Sequence, residues 1–98
     1  MLYALLGFDA EDAAPRRQAV REAHLQRVRA LHEEGRVVLV GPFPNIDAND
    51  LSAGVSGTLI VAEFPSLEDA RAWLAADPYV ENNVFARTDV RPFFKVLP

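Results

Sequence analysis

The chain has no cysteine, which excludes a disulfide framework, a thiolate nucleophile and any cysteine-based metal site. It has no run of like charges, and a formal net charge of −4 argues against nucleic acid or an anionic membrane as the main partner. No glycine-rich phosphate loop is present, because Gly35, Gly41, Gly54 and Gly57 are too scattered to cradle a nucleotide. No His-x-x-x-His pair occurs either. His24 and His32 stand about 80° apart and roughly 12 Å apart along a helix, too far to share a metal ion. The first residues, Met1 to Asp9, lack the basic start of a leader peptide and are too short an apolar run to span a bilayer. The expectations are therefore no metal, no cofactor, no nucleic acid, no membrane and a cytoplasmic location.

What is present is a globular composition, half hydrophobic and 24% charged, in a length that suits one domain, residues 1–98. A domain this small without covalent staples must draw its stability from core burial or from oligomerisation. The organising stretch is Arg21-Glu22-Ala23-His24, midway along the first long helix. At 100° per residue from Val20, His24 falls at about 40°, between Leu31 at about 20° and Val28 at about 80°. Glu22, Gln26, Arg29 and Glu33 share the opposite side. An imidazole thus sits in an apolar stripe, where burial without a partner costs about 1–3 kcal/mol.

In chain order, Leu2 to Phe8 is apolar at nearly every position and reads as a strand covered on both faces. Asp9 to Pro15 is turn-like, with an N-cap expected near Asp12 and Pro15 in the first helical turn. The adjacent Arg16 and Arg17 read as a solvated helix turn. The helix runs to about Glu34, and Gly35 ends it by accepting a left-handed conformation. Val37 to Val40 is a second strand stopped by Gly41-Pro42, and residues 43–56 carry the Pro, Asn, Asp, Ser and Gly of a long binding loop or lid. Gly57 opens a third strand that ends at Phe64. Ser66 caps a second helix with Asp69 at the capping-box position, and Leu67, Ala70, Trp73 and Leu74 form its apolar face. Asp77-Pro78-Tyr79 starts a short turn, and a last strand runs from about Phe85 to Val96. The order β-α-β-β-α-β predicts a ferredoxin-like α+β domain, an antiparallel four-stranded sheet with both helices on one face. The other face would then be bare and apolar, so a homodimer through the open sheet face, an α/β-barrel-like pair, is expected.

Arg21-x-x-His24, Gly35 with Gly41-Pro42, Gly57 with Ile60-Val61-Ala62-Glu63-Phe64, Asp77-Pro78-Tyr79 and Pro92-Phe93 occur in this order. The ordered set resembles the YciI-like (YCII-related) proteins over essentially the whole chain. The resemblance implies a dimeric α/β barrel with a pocket holding a histidine and an aspartate, which match His24 and Asp77. It also implies that one relative of this type is a dehydrochlorinase of a chlorinated hydroxyquinol, with a His-Asp pair proposed for catalysis. Substrate choice would lie in the variable loop and does not carry over.

Each residue also has a purely structural explanation. His24 is either an inward histidine satisfied by backbone or carboxylate, or a general acid/base whose tautomer a partner fixes. Asp77 followed by proline is a helix N-cap, a role compatible with meeting His24 through its other oxygen. Arg21 either binds a substrate anion or pairs with Asp77 or a loop carboxylate. Tyr79 is either core or a pocket wall, and Ser56 with Gly57 could present polar groups at the pocket mouth. The reading is a cofactor-independent enzyme with His24 and Asp77 catalytic and Arg21, Tyr79 and Ser56 binding a small anionic or phenolic molecule. Elimination, isomerisation or hydrolysis are the reaction classes. The alternatives are a non-catalytic ligand-binding or regulatory module using the same pocket, and an accessory protein acting through its surface.

Overall fold

Strand β1 (Leu2–Asp9) is followed by helix α1 (Ala14–Glu33), strands β2 (Val37–Pro44) and β3 (Val55–Glu63), helix α2 (Leu67–Ala75), a one-turn helix α3 (Pro78–Glu81) and strand β4 (Phe85–Phe93). The computed structural model describes residues 1–98. The four strands form one sheet in the spatial order β2-β3-β1-β4, and all neighbours are antiparallel. This is the ferredoxin-like α+β arrangement. No helix is long and apolar enough to cross a membrane.

Period-two alternation assigns the two faces. The pairs Tyr3↔Ala62 and Leu5↔Ile60 point to the helices and join Val28 and Leu31 of α1 and Ala70 and Leu74 of α2 in the main core. A smaller cluster of Ala13, Tyr79 and Val84 closes one end. The opposite face carries Leu2, Ala4, Leu6, Phe8, Leu59 and Val61, and β4 adds Arg87, Asp89 and Arg91 beside them. Of this set only Val61 is buried. Phe8 stacks on Phe43 with centroids 6.4 Å apart, and the Arg87 guanidinium lies 4.0 Å over the Phe8 ring.

Several boundaries differ from expectation. Strand β2 runs through Gly41-Pro42 to Pro44, because β2 is an edge strand and proline there removes no ladder hydrogen bond. Strand β3 starts at Val55, so the loop contracts from 43–56 to 45–54. Its ends are pinned by Asn45, whose amide N–H donates to the Gly54 carbonyl at 3.0 Å and whose Nδ2 donates to the Ala53 carbonyl at 2.9 Å. The N-cap of α1 is Ala13, without a side-chain cap, and Asp12 instead pairs with Arg16 at 3.4 Å. Strand β4 ends at Phe93, short of Val96. Gly35 takes φ +73° after the last turn of α1, and Ser66 Oγ accepts from the Asp69 amide at 3.0 Å, both as anticipated.

One irregularity matters for the site. Between the pairs Pro42↔Thr58 and Pro44↔Val55, β3 supplies Ser56 and Gly57 opposite Phe43 alone. This β-bulge re-aims the side chains on either side of it. Gly57 is also where β1 and β3 approach closely, since a Cβ there would meet the backbone carbonyl of Gly7. Gly57→Ala is therefore expected to destabilise the fold by about 1–3 kcal/mol, whereas Gly41→Ala, with open space around it, should be nearly neutral. Thermal melts of the two variants check this, and equal melting temperatures would contradict the close approach.

Candidate active site

The apolar stripe of α1 buries His24, Val28 and Leu31. Across from it, the chain leaves α2 and restarts as α3, and Asp77 is the N-cap of that short helix with Pro78 in its first turn. The Tyr79 amide donates to Asp77 Oδ1 at 2.9 Å. His24 Nδ1 lies 2.9 Å from the same oxygen and 3.0 Å from Oδ2. Arg27 Nη1 donates to Oδ2 at 3.3 Å. Both oxygens thus meet the imidazole, and Oδ1 also serves as the cap. Asp77 is fully buried and His24 is 4% exposed, so the carboxylate's desolvation is offset by a cation, an amide and an imidazole N–H.

With Nδ1 on the carboxylate, Nε2 is the other end of the ring. It has no hydrogen bond within the chain. His24 also lines a cavity of about 410 Å³. That cavity lies between α1 and the β2–β3 edge of the sheet, with Leu51 and Gly54 of the 45–54 loop on its wall.

Tyr79 forms another wall. Its ring stacks on the imidazole, with centroids 4.0 Å apart and planes 14° from parallel. The Arg17 guanidinium lies 4.5 Å over the same ring. Two groups so close to one centroid must occupy opposite faces, so the phenol is inserted between Arg17 and His24, two helical turns apart on α1. Phe85 meets its edge at 5.5 Å. Burial pushes the Tyr79 phenol above its ordinary pKa, and the Asp77 charge adds to this against the pull of Arg17 and Arg21. The hydroxyl is thus protonated at neutral pH and can donate a hydrogen bond.

Arg21 lines the cavity, is exposed, and makes no ion pair with Asp77 or any loop carboxylate. Arg27, which the sequence reading passed over, holds Asp77 instead, and its guanidinium lies 4.3 Å over the Trp73 ring. Ser56 is exposed and does not line the cavity. The bulge turns Val55 and Thr58 to the wall and leaves Ser56 outside it. Arg17 is no solvated helix turn. Its Nε and Nη2 donate to the two Asp9 oxygens at 2.9 and 3.0 Å, and Nη2 also donates to Thr58 Oγ1 at 3.0 Å.

Sequence and structure comparisons agree with this architecture. The YCII-related domain model matches residues 1–94. The protein YciI of Escherichia coli O6:H1 and that of Shigella flexneri are each 47% identical over 98 residues, covering 99% of this chain and 100% of theirs. A Haemophilus influenzae protein is 42% identical with the same coverage. Among solved structures, 5-chloro-2-hydroxyhydroquinone dehydrochlorinase (TftG) from Burkholderia phenoliruptrix, in complex with 2,5-dihydroxybenzoquinone, superposes with a TM-score of 0.86 at 20% identity. The match covers 96% of this chain and 94% of that one, and at this identity the likeness concerns the fold. With the domain model spanning nearly the whole length and relatives alike from end to end, the chain belongs to the YCII-related domain family.

Proposed function

We propose that the protein is a cofactor-independent enzyme in which His24 transfers a proton to or from a small anionic or phenolic molecule. The carrying observation is the buried His24–Asp77 pair, held through Nδ1, at a cavity that His24 lines. When Nδ1–H donates to Asp77, the Nε2 lone pair is left as the base. Asp77 then orients the ring and stabilises the imidazolium once formed. Tyr79 stacked on the ring limits its rotation and can donate to a developing oxyanion. Arg21 would bind the anionic group of the substrate. In an elimination, Nε2 takes a hydroxyl or ring proton, the leaving anion departs with the electrons of its own bond, and the imidazolium releases the proton to solvent. Isomerisation and hydrolysis need the same base. TftG is named for loss of HCl from a hydroxylated ring, so halogenated and plain benzenetriols are the first compounds to screen. Turnover by the native protein that His24→Asn removes supports the proposal. Binding without turnover across the screen would favour a non-catalytic binding module instead.

The working unit in this reading is a homodimer through the open sheet face. Leu6 and Leu59 pair directly across β1 and β3 at the centre of that face, among apolar neighbours that a monomer would leave to water. Leu59→Arg is expected to shift the protein from dimer to monomer in sedimentation velocity. A native protein that already sediments as a monomer at micromolar concentration would sink the dimer.

A further inference from the structure

Three charged side chains line the cavity, Asp9, Arg17 and Arg21. Two of them neutralise each other. The Arg17 fork grips both Asp9 oxygens at 2.9 and 3.0 Å, and their side chains are only 15% and 7% exposed. Thr58 accepts a further Arg17 N–H, and the guanidinium is flattened over Tyr79. Little of Arg17's charge is then left for a ligand. Arg21 has no such partner, so the cavity carries one uncompensated positive charge. The rest of its wall includes Leu25, Val40, Pro42 and Val55, which suit an apolar body.

We infer that the cavity takes a small molecule with an apolar body and a single negative charge, and that Asp9 is the residue that excludes a second charge. This deepens the proposed function and rests on its pocket. A second anionic group near Arg17 would lose its hydration and meet the Asp9 carboxylate, a charge buried without a cation. Asp9 is thus a specificity-determining residue, one the chemistry at His24 does not use.

Three probes sharing one ring and one hydroxyl test the assignment by calorimetric titration of the full chain: neutral 3-hydroxybenzyl alcohol, singly charged 3-hydroxybenzoate and doubly charged 5-hydroxyisophthalate. The native protein is expected to bind the monoanion about tenfold or more tighter than either of the others. Asp9→Asn frees Arg17 and should erase or reverse the preference over the dianion. Arg21→Gln, on an exposed residue, should lose the monoanion about tenfold while leaving the neutral probe unchanged, and it decides the matter if Asp9→Asn fails to fold. Equal or tighter native binding of the dianion, an unchanged ratio in folded Asp9→Asn, unchanged monoanion binding in Arg21→Gln, or no binding of any probe at millimolar concentration would overturn the inference. Binding is the readout, so a His24→Asn protein that keeps turnover would sink the acid–base reading and leave this charge count standing.

Discussion

His24→Asn is expected to lower kcat by about 10²–10⁴-fold, with KM changed no more than a few-fold, on whichever substrate the screen returns. Asparagine offers polar atoms of similar reach but cannot take up a proton, so it separates chemistry from shape. Binding by Arg21 and the apolar wall would persist, which is why the loss should appear in kcat. Steady-state kinetics on the native and variant proteins check this, alongside melting curves to establish that both are folded. A rate within tenfold of native would remove His24 from the chemistry.

The other large effect is on stability. Asp77→Ala is expected to cost about 3–5 kcal/mol, the usual consequence of removing one partner from a buried charged pair. The alanine would strip the cap from α3, leave Arg27 without its carboxylate and free His24 Nδ1, all on the strength of one fully buried side chain. Domains of this size have only about 5–15 kcal/mol in total, so the variant would sit near the limit of folding. Asp77→Asn should cost less, because its oxygen can still accept from the Tyr79 amide. Urea unfolding of both variants decides the matter. A loss below 1 kcal/mol for alanine would mean that the network contributes little.

The architecture was legible because its signals are local. Gly35 after a long amphipathic run, Ser66 three residues before Asp69, and Asp77 before Pro78 each mark a helix end by backbone chemistry alone. Strand ends were less legible. Gly41-Pro42 looks like a stop in sequence, yet an edge strand tolerates both, and only the sheet order reveals that β2 is the edge. The helical stripe that holds His24 also holds Arg17 and Arg27, at about 60° and −20° on the same count, and Arg17 lies in it one turn before Val20. Asp9 and Thr58 could not be found that way, because their partnership with Arg17 spans three elements. The direction of Ser56 is hidden for a related reason: a bulge breaks the alternation from which it would be inferred.

Trp73 is the chain's only tryptophan, and its position gives the protein a built-in optical reporter. The indole lies under the Arg27 guanidinium, Arg27 holds Asp77, and Asp77 holds His24. A ligand that draws on His24 changes how Asp77 holds Arg27, and so the placement of the guanidinium on the indole, through two intervening side chains. Emission from unlabelled protein therefore has a path to the state of the cavity, without a dye or a tag to disturb it.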